Sequence, residues 1–419
     1  MPSKALMAVR KAVGESFTGL PASFWWLWTA TLVNRLAAFV GTFLAIYLTQ
    51  GEGYSASFAG LVVSLYGGGA AAASMIGGAL TDRIGRRPTV LVAQLATAVS
   101  IMALGLAEQQ LAIAVLAFVV GVASFASRPA MAAMIADLVP EENRGKAYSL
   151  NFWAANIGFG VSAAAAGLLA EQGYLLIFIG EAVATLVCAA LVFVKVPETK
   201  AAEPQGPADQ KQSAGYGVVL KDATFMSLIG LTFLVVVLFQ QAATVLPITM
   251  GQEGLSSTDY GLVLSLNGLA IVVLQIPLTR VVRNKNPLHV VAVAALLCGY
   301  GFGLTALADS LPLYAATVLI WTLGEILFAP VSMQVVARLS PDDARGRYQG
   351  MYGLAWSLAA LVTPVASGVV LDHLGADVIW ITCAVIGTTA AVGYALLART
   401  LPNDTKADEP EPAPAASAE

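Results

Sequence analysis

Long apolar stretches alternate along the chain with short polar ones, and the alternation is regular enough to count. Twelve apolar segments begin near residues 24, 57, 90, 111, 146, 174, 223, 258, 288, 312, 346 and 377. Each runs for about 20 residues or slightly more, the length a helix needs to cross about 30 Å of hydrocarbon at about 1.5 Å per residue. The pattern predicts an all-α integral membrane protein with twelve transmembrane helices. Most connections are very short. The exception is residues 197–222, rich in Pro, Gln, Ala and Lys, which read as a flexible cytoplasmic linker between a six-helix bundle at 1–196 and a second at 223–400. Residues 401–419, rich in Pro, Ala and Glu, read as a disordered cytoplasmic tail.

Composition agrees with a membrane solvent. The chain of 419 residues is 58% hydrophobic and 11% charged, with a mean hydropathy of +0.75, against about 25% charged residues in soluble domains. Net charge, -4, says less than where the charges stand. Of 22 Lys and Arg residues, all but Arg35 and Arg128 fall at the N-terminus, in alternate connections or at the C-terminus. The intervening connections carry Glu52, Glu108, Glu171, Glu253, Asp259, Asp309, Asp372 and Asp377 and no basic residue. The positive-inside rule therefore predicts a multi-pass protein of the cell membrane with both termini in the cytoplasm. No basic face for nucleic acid is present. Cys188, Cys298 and Cys383 are far apart in apolar runs, which predicts core packing, with neither a disulfide framework nor a metal site.

The chain also repeats itself. GLVVSLYG at Gly60–Gly67 returns as GLVLSLNG at Gly261–Gly268, and PEENRGKAY from Pro140 returns as PDDARGRYQ from Pro341, both 201 residues on. Six helices separate the copies, so both enter the membrane from the same side. The halves are parallel repeats about an axis normal to the bilayer.

The densest charge between apolar segments is in GGALTDRIGRRPTVL, residues 77–91. An acid and three arginines carry a cost of several kcal/mol each in hydrocarbon, so the chain reaches water there. With Gly78, Leu80, Asp82, Arg83, Gly85, Arg86 and Arg87, this stretch resembles the signature loop between the second and third helices of the major facilitator superfamily. The Arg-Gly turns after the fourth and tenth segments, and WTLGE at Trp321–Glu325, are similar to drug and proton antiporters of that superfamily, although the fifth segment lacks their Gly-Pro pair. The resemblance covers about residues 20–400 and implies the superfamily's fold, two six-helix bundles around one central site.

It also implies roles. Gly78, Asp82, Arg83, Gly85, Arg86 and Arg87 become a gating motif in which Asp82 faces the N-terminal end of the eleventh helix and Arg86 pairs with Asp137, holding the halves together at the cytoplasmic side; Arg128 fits the same latch. The plainer reading of these arginines is topogenic. Helices 1, 4, 7 and 10 line the cavity in the superfamily, which makes Asn34, Arg35, Gln240, Gln241, Trp321 and Gln334 substrate candidates, with Asn156, Asn267 and Gln275 beside them. Neutral amides equally serve as interhelical glue worth about 0.6 kcal/mol each, and the aromatic residues Trp28, Phe39, Phe239, Trp321 and Trp356 equally serve in packing.

Glu325 stands near a membrane midplane, the first candidate for proton coupling, and Glu181 is the second. Either acid could instead be a neutral structural group hydrogen-bonded between helices. Arg35 keeps its charge and needs an anion or several carbonyls; contact with a substrate and structural pairing with a carboxylate such as Glu325 are both open. No nucleotide-binding motif occurs, GGGAAAASMIGG from Gly67 being a run of close-packing residues, and His289 and His373 have no nucleophile or metal cluster with them, so neither an enzyme nor a cofactor is expected. The expected activity is secondary transport by alternating access in a monomer, with protons and a small molecule as partners in a lipid bilayer. Proton-coupled efflux of small amphipathic or drug-like molecules leads. Proton-coupled uptake of a small polar or anionic nutrient, and a transporter-like sensor without flux, are the alternatives.

Overall fold

A computed structural model describes residues 19–199, 217–282, 284–341 and 344–400; the side chains of Asp82 and Arg345 are not among those described. Twelve helices in these residues are long and apolar enough to cross a membrane. In chain order they are α1 (Ala22–Gly51), α2 (Ala56–Ile84), α3 (Arg86–Gly105), α4 (Gln110–Leu138), α5 (Glu141–Gln172), α6 (Leu175–Lys195), α7 (Ala223–Gln252), α8 (Ser257–Val282), α9 (Pro287–Gly303), α10 (Leu311–Leu339), α11 (Arg345–Leu374) and α12 (Ala376–Thr400). A short helix, Gly217–Lys221, precedes α7. Helix α5 begins at Glu141, ahead of the apolar run expected near 146, because its first turn is polar and helical in water with Glu141 and Glu142 at its positive end. The expected disordered tail at 401–419 and most of the expected linker at 197–222 lie outside the described residues.

One helix departs from the twelve simple rods. Helix α1 is broken: Ala22–Leu36 ends, residues 37–39 turn, and Val40–Ile46 continues into a π-helical turn at Tyr47–Gly51. Backbone groups freed inside a membrane need partners. Here the Val40 N–H donates to the Glu181 carboxylate (2.6 Å) and the Ala38 carbonyl accepts from the Ser162 hydroxyl (3.2 Å).

Within each half the helices pack closely, α2 on α4 and α3 on α6 in the first, α9 on α12 and α8 on α10 in the second. Between the halves two seams dominate, α2 against α11 and α5 against α8. Both seams are tightest near the face where the acidic loops stand. At Gly60 a Cβ would strike the Pro364 carbonyl, and at Gly261, 201 residues later, it would strike the Ala163 carbonyl. The serine of each repeat adds a bond across its seam: Ser64 Oγ accepts from the Val365 N–H (3.0 Å), and Ser265 Oγ donates to the Gly160 carbonyl (2.5 Å). A carboxylate closes the first seam at its end, Asp372 of α11 accepting from the first N–H groups of α2 at Ala56 (3.1 Å) and Ser57 (2.7 Å).

Toward the opposite face, where the arginine hairpin lies, the seams open. A cavity of about 530 Å³ separates Phe152 and Asn156 of α5 from Gln275 and Thr279 of α8. Another of about 420 Å³ separates Ala70 and Ala71 of α2 from Trp356 and Ser357 of α11. The molecule is shut at the acidic face and open at the arginine face.

Candidate transport cavity

A polar concavity of about 540 Å³ lies on the inner side of the first half. Asn34 and Arg35 reach it from the last turn before the α1 break, Tyr66 from α2, Gln94 from α3, Arg128 from α4 and Glu181 from α6. Gly41, Tyr66, Phe125 and Arg128 also line the 420 Å³ cavity, whose far wall carries Gln240 of α7 and Trp356 of α11. A ligand there would touch both halves.

The two arginines are conspicuous for what they lack. Among the described residues neither guanidinium makes an ion pair or a hydrogen bond, whereas Arg86 pairs with Asp137. Arg128 is exposed to the cavity and lies over the Phe125 ring, 3.8 Å from its centroid. Glu181, in contrast, is 8% exposed and spends its carboxylate on the broken helix.

The expected site residues divide. Asn34, Arg35 and Gln240 line the cavity. Gln241 does not face it; it is buried and donates to Ser367 Oγ (3.0 Å), an interhelical bond. Trp321 is likewise a packing residue, buried and stacked on Phe302 with ring centroids 5.0 Å apart. Gln334 is exposed on α10. Arg128, expected with the gating loop, stands beside Arg35 in the cavity instead. Among the described residues no ion pair joins Arg35 to Glu325. Glu325 accepts from Asn267 Nδ2 (2.9 Å), which also donates to Thr322 Oγ1 (2.9 Å).

Tyr66, Gln94 and Phe125 are wall residues that the pattern of the sequence did not single out. One signal was available: within the repeat GLVVSLYG/GLVLSLNG the polar change is Tyr66 to Asn267. Tyr66 faces the arginines, and Asn267, its counterpart, holds Glu325.

At the hairpin, Arg86 Nε is 2.7 Å from Asp137 Oδ2. Glu198 caps the start of α3 by accepting from the N–H groups of Arg86 (3.0 Å) and Arg87 (3.1 Å), and Arg87 bonds the Phe193 carbonyl. Gly85, at φ 93°, makes the turn that other residues rarely adopt. Arg83 is exposed, and a Cβ on Gly78 would meet open space. The role expected of Asp82 concerns a side chain outside those described. No group of three or more His, Cys, Asp or Glu able to hold a metal occurs among the described residues.

Two helical halves with seams shut at one face, and a polar cavity between them open to the other, define a polytopic membrane transporter. The family model described as Major Facilitator Superfamily matches residues 27–339 and 323–418, and the chain belongs to that family. It is a secondary transporter. It is 29% identical to the uncharacterized MFS-type transporter YttB of Bacillus subtilis (strain 168), with 81% of this chain and 85% of that protein covered. It is 27% identical to the multidrug resistance protein MdtH of Aeromonas salmonicida (strain A449), covering 89% and 94%. It is 23% identical to a Na(+), Li(+), K(+)/H(+) antiporter of Planococcus maritimus, covering 85% and 87%. Among solved structures, a POT family transporter in complex with 5-aminolevulinic acid superposes with a TM-score of 0.78 at 16% identity, covering 92% of this chain and 97% of that one, a likeness of fold.

Proposed function

We propose that the chain is a proton-coupled exporter of small amphipathic molecules, with residues 1–196 and 223–400 rocking about the linker 197–222 as a monomer. The observation that carries the reading is the cavity itself: charged, amide and aromatic groups meet between the halves, open to the arginine face, where a cytoplasmic compound would enter. That face is assigned to the cytoplasm of the cell membrane by its basic loops. The multidrug resistance protein and the cation/proton antiporter among its relatives support export against protons.

Glu325 is proposed as the coupling acid. It sits in an interhelical hydrogen bond that a proton would alter, and Asn267 ties it to the helix forming the α5–α8 seam. Glu181 is the second candidate, where protonation would weaken the hold on the α1 break. The hairpin motif, with Arg86–Asp137 in place, is proposed as the catch that forms when the arginine face closes.

Proteoliposomes with an imposed pH gradient test the reading. A mixed panel of amphipathic compounds should move against the proton gradient, and Glu325→Gln should transport without responding to it. Flux in the direction of the protons would mean uptake instead. A Glu325→Gln protein as responsive to the gradient as the parent would remove that residue from coupling.

A further inference from the structure

We propose that the cavity selects molecules with an oxyanion head, a carboxylate or phosphoryl group gripped by Arg35 and Arg128 together, and an apolar body laid against Phe125 and Trp356. The proposal rests on the reading of this cavity as the transport site.

Charged side chains within a membrane are almost always paired. Arginine cannot shed its proton to avoid the cost. Yet these two share one cavity with no described acid bonded to either. The nearby carboxylate, Glu181, is already engaged by the backbone of α1, which leaves two like charges facing one space. An anionic ligand would supply the charge that completes them. The Arg128 guanidinium carbon lies 3.8 Å from the Phe125 centroid, and its N–H donors have no described protein acceptor, which suits bidentate pairing with a carboxylate or phosphoryl group.

Further polar atoms stand ready on the same walls. Ser124 Oγ and Trp356 Nε1 are buried and have no hydrogen-bond partner among the described residues. Trp356 belongs to the second half and stacks on Phe239, with centroids 6.1 Å apart and planes 15° from parallel. It offers an aromatic face across from the arginines. An anionic head held in the first half with an apolar body reaching the second makes one ligand contact both moving parts. Together the two volumes, about 540 and about 420 Å³, fit a drug-sized molecule.

Three probes that share one apolar body isolate the head: 2-naphthoate, 2-naphthamide and 2-naphthylmethylamine, with binding measured calorimetrically on the full chain in phosphatidylcholine nanodiscs. The carboxylate should bind at least about tenfold more tightly than either of the others, the worth of a charge-assisted bond. Arg128→Gln, at an exposed position with no described hydrogen bond to lose, should weaken the carboxylate at least about tenfold and the amide less, bringing the two affinities together. Arg35→Lys, which keeps charge but loses the fork, should give an intermediate affinity. Competition by phosphatidylglycerol added to the discs would name a lipid headgroup as one source of the oxyanion; its absence would leave soluble amphiphiles.

Equal affinities for the three probes, or a carboxylate affinity untouched by Arg128→Gln, overturn the proposal. If proteoliposomes move the amide or amine while the carboxylate is ignored, the transport reading stands and the anion proposal falls. If neither these probes nor the mixed panel bind or move, both fall.

Discussion

Trp321 and Gln241 occupy helices that the family resemblance expects to line the cavity, yet each turns its side chain into the protein. Truncating Trp321 removes a stacked ring from a packed interior, so Trp321→Ala should destabilise by about 3–5 kcal/mol, read as a lower unfolding temperature in detergent, with the substrate preference of the surviving protein unchanged. Gln241→Ala should cost about 0.6 kcal/mol, the worth of one interhelical bond. Gln240→Ala, one residue away on the cavity wall, should instead raise KM with no measurable loss of stability. Neighbouring positions in a helix point about 100° apart, which follows from 3.6 residues per turn. Helix number alone therefore named both glutamines, and only the rotation of α7 separates them.

At the level of the helices, the seam between α2 and α11 carries an asymmetry. Asp372 reaches from α11 to the first N–H groups of α2. The corresponding start, that of α8, is served from within its own chain segment: Asp259 accepts from the Ser256 N–H (2.9 Å) and Ser256 Oγ accepts from the Asp259 N–H (3.1 Å). An acid at a helix N-terminus contributes about 0.3–1 kcal/mol. Since this bond exists with the acidic face shut, Asp372→Asn should shift the population toward the open acidic face by about two- to fivefold. Alkylation of a cysteine placed in the α2–α11 seam measures it; an unchanged labelling rate counts against the bond as a closing force. At Gly60 the seam leaves no room for side chains, so Gly60→Val should block closure of the acidic face and abolish transport while leaving membrane insertion intact.

For the whole molecule, the state observed has its cavity open to the arginine face while Arg86 and Asp137, both in the first half, are already paired. That pair therefore does not by itself bridge the halves. Exchange of access must swap the shut seam for a closed hairpin side. Removing charge at the hairpin through Asp82→Asn should lower transport with normal expression and topology, the expected outcome if the loop works as a catch in the opposite state. Transport equal to that of the parent would leave the loop a topogenic role alone. The loop's counterpart in the second half, IPLTRVVRNKNP from Ile276, keeps basic residues and contains no acid, so the acid that could catch is confined to the first half.

Twelve helices, their parallel halves and the face bearing the arginines could all be read from the chain, because hydrophobic length and the placement of charge are properties of sequence and the bilayer imposes them one segment at a time. Gly60 and Gly261 sit at the same place in each copy of the repeat, but that each meets the other half's backbone at a seam became visible only in the packed molecule. The break in α1 could not be read: RLAAFVG contains no proline, and its single glycine lies beyond the turn; the turn is held by Glu181 and Ser162, 141 and 124 residues away. The meeting of Arg35 with Arg128 was hidden for the same reason, 93 residues of chain separating two charges that share a cavity. What the bilayer demands of each helix is local and was written in the sequence; which side chains face one another depends on the rotation and depth of helices packed against each other, and tertiary structure alone decided it.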